Sequence, residues 1–252
     1  MRKVKLEGRE YVVDAPLTVA HLINRAYETE GFRGFVIVGP QGAGKTVLAL
    51  WSLYLIYRDW DLVFDHLVFD WRDHFSKIER WIEVNAGRGG DYERYAALAY
   101  DDAAVQFSKY LFYVDKALSW SLSQYFQLVR RFSAGVLVTC VDEEELLRPL
   151  RLQPFSYIEV KRLGKWTSVA KFYQPVKKPL SKRRTRVLGA FAFTPLLPDD
   201  VYARYRELNF SYVQRSPLIT EAKKILERLE KRIAGEDTDI KPLRYPFLGV
   251  KA

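Results

Sequence analysis

Gly39-Pro40-Gln41-Gly42-Ala43-Gly44-Lys45-Thr46 matches the pattern G-x-x-x-x-G-K-[ST], and the residues on either side decide how it is read. The apolar run Phe35-Val36-Ile37-Val38 leads in, and Val47-Leu48-Ala49-Leu50-Trp51 leads out. Strand, glycine-rich loop and helix in that order are the setting in which such a loop holds phosphate. The glycines let backbone N–H groups turn inward without a Cβ in the way. The first turn of the following helix adds unpaired N–H groups and the positive end of its dipole. On this reading the stretch Gly39 to Val47 cradles the phosphates of a nucleotide. Lys45 neutralises the outer ones and the Thr46 hydroxyl holds Mg²⁺.

Outward from the loop, short apolar runs alternate with helical patterns. Pro16 to Glu30 has helical spacing, His66 to Asp70 and Tyr95 to Tyr100 have strand length, and Asp73 to Val84 places Phe75, Ile78, Trp81 and Ile82 on one helix face. A long helical stretch covers Ala104 to Phe132, and Gly135 to Cys140 is a further strand. The alternation predicts an α/β fold, a doubly wound parallel sheet, up to about residue 152. Beyond it Tyr157 to Leu163 and Trp166 to Tyr173 flank Gly164-Lys165, which predicts a two-residue hairpin. Helices follow at Asp199 to Tyr212 and Pro217 to Ala234. The expected division is therefore a core at 1–152 and a basic hairpin with a helical C-terminal region at 153–252.

Hydrolysis needs an acid that orders Mg²⁺ and another that activates water. Leu98-Ala99-Tyr100-Asp101-Asp102 offers both at the carboxyl end of an apolar strand, where such sites gather. Asp101 is the expected metal-side acid and Asp102 the expected base. The strand at 66–70 suggests that another strand lies between the loop strand and the acidic strand in space, an additional-strand arrangement. Thr139 ends the next strand, where it either touches the γ-phosphate or attacking water or is satisfied locally. Arg148 and Arg151 are candidates to reach a neighbouring subunit's nucleotide, with Arg130 and Arg131 as competitors.

Composition sets the limits. With 48% hydrophobic residues in 252, a sizeable core is expected. No apolar run reaches the ~18 residues of a membrane span, and no signal-type segment opens the chain, so a cytoplasmic protein is expected. The lone Cys140 excludes an internal disulfide and reads as a buried small residue. His21, His66 and His74 lack ligand spacing, so no zinc site is expected. Scarce asparagine (24, 85, 209) and a single methionine suggest a thermophilic source. Charge is uneven: residues 1–150 hold 18 Lys+Arg against 21 Asp+Glu, and residues 151–252 hold 22 against 10. The net of +12 in the second part suggests a polyanionic partner, most simply DNA. Lys165, Lys177, Lys178, Lys182, Arg183, Arg184 and Arg186, near Trp166, Phe172 and Tyr173, are the candidate contacts. Cations hold phosphates there while aromatics stack on bases, with little sequence preference.

The loop at 39–46, the acids at 101–102, the strand ending in Thr139 and the run Glu143 to Arg151 together resemble AAA+ ATPases, over roughly residues 16–152. The replication-initiator and helicase-loader branch is the nearest in flavour, and small ATPases of archaeal viruses and plasmids are similar. The resemblance implies ATP and Mg²⁺ as ligands, hydrolysis as activity and a homo-oligomer acting on DNA. It also implies Mg²⁺ and water-activating roles for Asp101 and Asp102 and a polar sensor at Thr139. A packaging or secretion motor and an ATP-gated assembly switch are the alternatives. The hairpin signal at 156–173 stands where that family carries a helical lid.

Overall fold

In the computed structural model the described residues are 1–88, 92–103, 107, 116–146, 155–176, 184–215, 226, 227 and 230. The chain opens with a hairpin, β1 (Lys3–Leu6) and β2 (Arg9–Val12). Glu7 and Gly8 at its turn both take positive φ, 51° and 75°, the twist a two-residue turn requires. α1 (Asp14–Glu28) buries Val19, Ala20, Ile23 and Ala26 at helical spacing. β3 (Arg33–Val38) then runs into the glycine-rich loop, and α2 (Lys45–Tyr57) leaves it.

The expected strand at 66–70 is shortened to β4 (Leu67–Val68), because helices claim its flanks. α3 (Trp60–Asp65), which the sequence pattern did not suggest, is capped by the Asp59 carboxylate, which accepts from the N–H groups of Asp61 and Leu62. Asp70 does the same for α4 (Trp71–Asn85), accepting from Arg72 and Asp73. β5 (Leu98–Tyr100), α5 (Lys116–Phe132) and β6 (Gly135–Cys140) follow, then β7 (Ser156–Arg162), β8 (Ser168–Val176), β9 (Arg184–Phe193) and α6 (Asp199–Arg215).

One seven-stranded sheet runs in the order β4-β5-β6-β3-β7-β8-β9. The first five strands pair in parallel and the last two are antiparallel additions. β6 therefore lies between the loop strand β3 and the acidic strand β5, while β4, the strand between them in sequence, is at the edge. β5 and β6 are buried on both faces and β3 is an apolar run buried over most of its length, whereas β7 is mixed and ends in exposed Lys161 and Arg162. Val36, Val136, Val138, Leu98 and Tyr100 share one core cluster with Ile78 of α4 and Leu122, Phe126 and Val129 of α5. Gly135 sits against Ile23 of α1, where a Cβ would come within 2.6 Å of the Ile23 side chain.

The chain divides into two units, Met1–Pro198 and Asp199–Ala252. The boundary expected at 152 instead falls inside the first unit, because β7 pairs directly with β3 and carries β8 and β9 as a continuation of the same sheet. Val12 and Thr194 bind each other through two hydrogen bonds, Val12 N–H to Thr194 Oγ1 at 2.8 Å and Thr194 N–H to the Val12 carbonyl at 2.9 Å. In the second unit the described helix is α6; the helix expected at 217–234 lies outside the described residues, as does the expected helical stretch at 104–106 and 108–115.

Candidate functional site

Parallel strands end together, so the sheet gathers its polar strand ends on one edge. β3 delivers Gly39, β5 delivers Asp101 and Asp102, and β6 delivers Thr139, which lies in register beside Ile37. The loop between β3 and α2 needs its glycines in two places. Gly39 has φ 150° and its missing Cβ would stand 2.4 Å from the Val160 carbonyl oxygen. Gly44, with φ 99°, precedes α2 and faces Pro195 Cβ at 2.9 Å. Only glycine fits either position without a shift of backbone or packed side chain.

Lys45 is 7% exposed, and its ammonium donates to the carbonyls of Gly39 at 2.9 Å and Pro40 at 3.0 Å. The loop thus holds its own cation over the cradle. Thr46 donates its hydroxyl to Asp101 Oδ1 at 2.7 Å. Thr139, with 0% exposure, donates to the same oxygen at 2.8 Å and accepts the Asp102 N–H at 2.9 Å. Asp101 is anchored from the other side by its N–H on the Val68 carbonyl at 3.0 Å. One carboxylate oxygen therefore ties the helix after the loop to two neighbouring strands. Thr139 spends its hydroxyl inside the acidic pair, which corresponds to the local alternative read from sequence.

Asp102 takes a left-handed conformation, φ 45°, that aspartate tolerates better than most residues. The residue as a whole is exposed, but its carboxyl sits partly desolvated against the site and is raised above the ordinary carboxylate range. Partial burial is the larger cause, the neighbouring Asp101 charge adds to it and Lys45 opposes. A raised carboxylate is a stronger proton acceptor once ionised, which suits a base. The Thr46 hydroxyl and the Asp101 carboxylate are hard oxygen donors on facing elements, a set that fits Mg²⁺ held jointly with phosphate and water. Cys140, one residue on from Thr139, is buried and its thiol is pushed up to about 12 by that burial, so it stays protonated.

The other flank of the loop is made by β7 and β8. The connection between them spans residues 163–167 rather than two, since Leu163 and Gly164 both donate to the Thr167 carbonyl, at 3.0 and 3.1 Å. Arg162 reaches back with one guanidinium onto three carbonyls: Gly42 at 3.0 Å, Gly164 at 3.1 Å and Lys165 at 2.9 Å. Ser168 Oγ, fully buried, donates to the Ala43 carbonyl at 2.9 Å. Val160, Arg162 and Ser168 are contacts that sequence reasoning missed. No local pattern marks them, because each meets the loop through backbone carbonyls more than 100 residues away.

A cavity of about 490 Å³ opens beside Gly39 and Pro40, lined among others by Glu143, Glu159, Tyr157 and Tyr173. Glu159 is held below the usual carboxylate range by Lys161 and Tyr173, so it carries charge and repels phosphate. A larger cavity of about 790 Å³ lies among Trp81, Ile82, Leu128 and Arg131, away from the acidic pair.

The remaining expected residues that are described lie at several places in the sheet. Arg130 and Arg131 end α5, at the amino edge of the sheet and opposite the loop. Lys165 lies at the carboxyl edge, but Arg184 and Arg186 pair with Val176 and Gln174 at the far end of β8. Six residues of strand, roughly 20 Å, separate the level of Ser168 from that of Gln174, so Arg184 and Arg186 stand away from Lys165. Arg148, Arg151, Lys177, Lys178, Lys182 and Arg183 lie outside the described residues. Among those residues no helix is long and apolar enough to cross a membrane.

No protein-family model matches the sequence. Two proteins of archaeal viruses are similar to it. Uncharacterized protein B-251 of Sulfolobus spindle-shape virus 1 is 24% identical over 229 residues, covering 81% of this chain and 84% of that protein. Uncharacterized protein ORF286 of Acidianus two-tailed virus is 28% identical over 172 residues, covering 67% of this chain and 58% of that protein, so the match spans little more than half of the viral relative. Among solved structures, the N-terminal domain of zonular occludens toxin from Neisseria meningitidis aligns with 68% of this chain and 97% of its own, at 11% identity and a TM-score of 0.38.

Proposed function

We propose that this protein is a Mg²⁺-dependent P-loop ATPase of the additional-strand kind, and that it works as a homo-oligomer on DNA, in the manner of replication initiation or helicase loading. The observation that carries the reading is the hydrogen bond from Thr46 to Asp101, made across a sheet in which β6 separates the loop strand from the acidic strand. Phosphate cradle and acidic pair thereby share one edge, as hydrolysis requires.

Lys45 leaves the Gly39 and Pro40 carbonyls for the outer phosphates, and the loop N–H groups take the remaining oxygens. Thr46 and Asp101 would hold Mg²⁺, which supplies charge neutralisation across the transferred phosphoryl group when bound. Asp102 accepts the proton of the attacking water at its carboxylate, and its raised affinity for a proton places the acid limb of turnover above the ordinary carboxylate range. Thr139 acts as a positioning residue for both acids. Arg148 or Arg151 supplies the cation in trans, and the positive charge of residues 151–252 meets DNA with little sequence preference and marked salt dependence.

The extension of the sheet by β8 and β9, where a helical lid belongs in AAA+ proteins, favours a second reading: a packaging or secretion motor. ATP turnover measured with and without single- and double-stranded DNA, beside mass measurement with a non-hydrolysable nucleotide, tests the proposal. Turnover stimulated by DNA and assembly on nucleotide are expected. A monomer whose turnover ignores DNA would sink the DNA-directed oligomer.

A further inference from the structure

The connection at 163–167 is exposed, carries two large apolar side chains and is held against the phosphate loop, a combination that a solvent-facing turn does not need. Leu163 and Trp166 are 69% and 59% exposed. Arg162 fixes the turn through its forked guanidinium, with one arm on the Gly42 carbonyl and the other on the Lys165 carbonyl. A guanidinium is planar and rigid, so the two carbonyl oxygens it bridges lie within roughly 8 Å of each other. Trp166 is the next residue. Lys165 Nζ stands 5.0 Å from the centroid of the Trp166 ring, a cation held at the indole while most of the residue stays open to solvent.

We infer that this turn forms the base-side wall of the nucleotide site, with Trp166 stacking on the base of a purine nucleoside triphosphate and Arg162 positioning the turn. The inference rests on the nucleotide reading of the phosphate loop given above. Three features converge on it. The carbonyls of Gly42 and Ala43 are bound by Arg162 and Ser168, so the hairpin is fixed directly against the loop. A nucleotide whose phosphates fill the cradle must lead its sugar and base out of it, and the hairpin turn presents an exposed aromatic side chain, Trp166, fixed to the loop. The bicyclic indole offers a purine more stacking area than a pyrimidine. A DNA-contacting role for Trp166 has less support, since the basic residues Arg184 and Arg186 stand at the far end of the strand.

The test is equilibrium binding of ATP and of inorganic tripolyphosphate, which has the phosphates without the base, to the full chain and to Trp166→Ala, Trp166→Phe and Lys45→Ala. Trp166→Ala is expected to weaken ATP about tenfold while tripolyphosphate binds as before, and Trp166→Phe to recover most of the loss. Equal ATP affinity in wild type and Trp166→Ala, with Lys45→Ala impaired for both ligands, overturns the stacking role and leaves the phosphate loop intact. Parallel weakening of both ligands by Trp166→Ala also overturns it, since the turn then only braces the loop. If Lys45→Ala binds both ligands like wild type, the phosphate-loop reading itself fails and the base wall falls with it.

Discussion

On one side of β3 stand strands that end in charge; on the other, strands run past the loop and turn back over it. β5 and β6 bring Asp101, Asp102 and Thr139 to the carboxyl edge, where the Thr139 hydroxyl bonds the Asp101 carboxylate and the Asp102 N–H, and Thr46 bonds Asp101. β7 and β8 give the loop no hydrogen-bonded acid, although Glu159 lines the cavity beside Gly39 and Pro40. They meet it through the Val160 carbonyl at Gly39, through Arg162 at Gly42 and through Ser168 at Ala43. In the proposed reading, chemistry comes from one flank and shape from the other. A phosphate loop is a strained piece of backbone, and the flank that holds its shape need carry no recognisable motif.

Breaking the cradle itself has the largest expected effect, because both flanks then lose their shared object. Lys45→Ala is expected to weaken ATP binding on the order of a thousandfold, about 4 kcal/mol, read by calorimetry. Gly39→Ala strikes the shape side alone. The new Cβ meets the Val160 carbonyl at 2.4 Å in a backbone conformation other residues avoid. A loss of about 3 kcal/mol in denaturant unfolding is expected, and an unchanged midpoint would show that β7 yields freely.

Acid attacks the chemical side from beneath. His74 is buried, donates or accepts at Nδ1 with the Tyr100 hydroxyl at 2.8 Å, and has its pKa lowered to about 3 by burial. The folded chain keeps the imidazole neutral, whereas the unfolded chain protonates it below its ordinary value of 6.5. Its contribution to stability is whole above pH 6.5 and is lost as pH falls below it. Between pH 6.5 and pH 5 about 2 kcal/mol should go, and His74→Phe should flatten that part of the stability curve. The smallest effect is Ser168→Ala, which leaves the Ala43 carbonyl without that donor. About 1 kcal/mol of stability and a slight loss of ATP affinity are expected, with Asp102-dependent turnover otherwise kept.

The same split governs what the sequence made legible. The loop was readable because its residues are contiguous, and the acids were readable because an apolar strand running into two aspartates is a local pattern. The position of β6 between β3 and β5 was suggested only indirectly, through the extra strand at 66–70, which in fact takes the edge. Asp59 and Asp70 carried the signal that shortens that strand, as helix caps. On the hairpin side nothing local distinguishes Arg162 from the other basic residues as a loop contact, since the loop carbonyl it holds is that of Gly42, far away in sequence. The division at 152 rested on charge and pattern, whereas the sheet is held by backbone pairing of β7 with β3, to which charge is indifferent.

Single-turnover hydrolysis of MgATP by wild type and Asp102→Asn bears most directly on the proposal that the acidic edge activates water. At least a hundredfold slower cleavage with ATP affinity kept within about twofold is the result expected of a lost base. Cleavage at the wild-type rate by Asp102→Asn would contradict a base at this position and reduce the acidic pair to a structural tie between α2, β5 and β6.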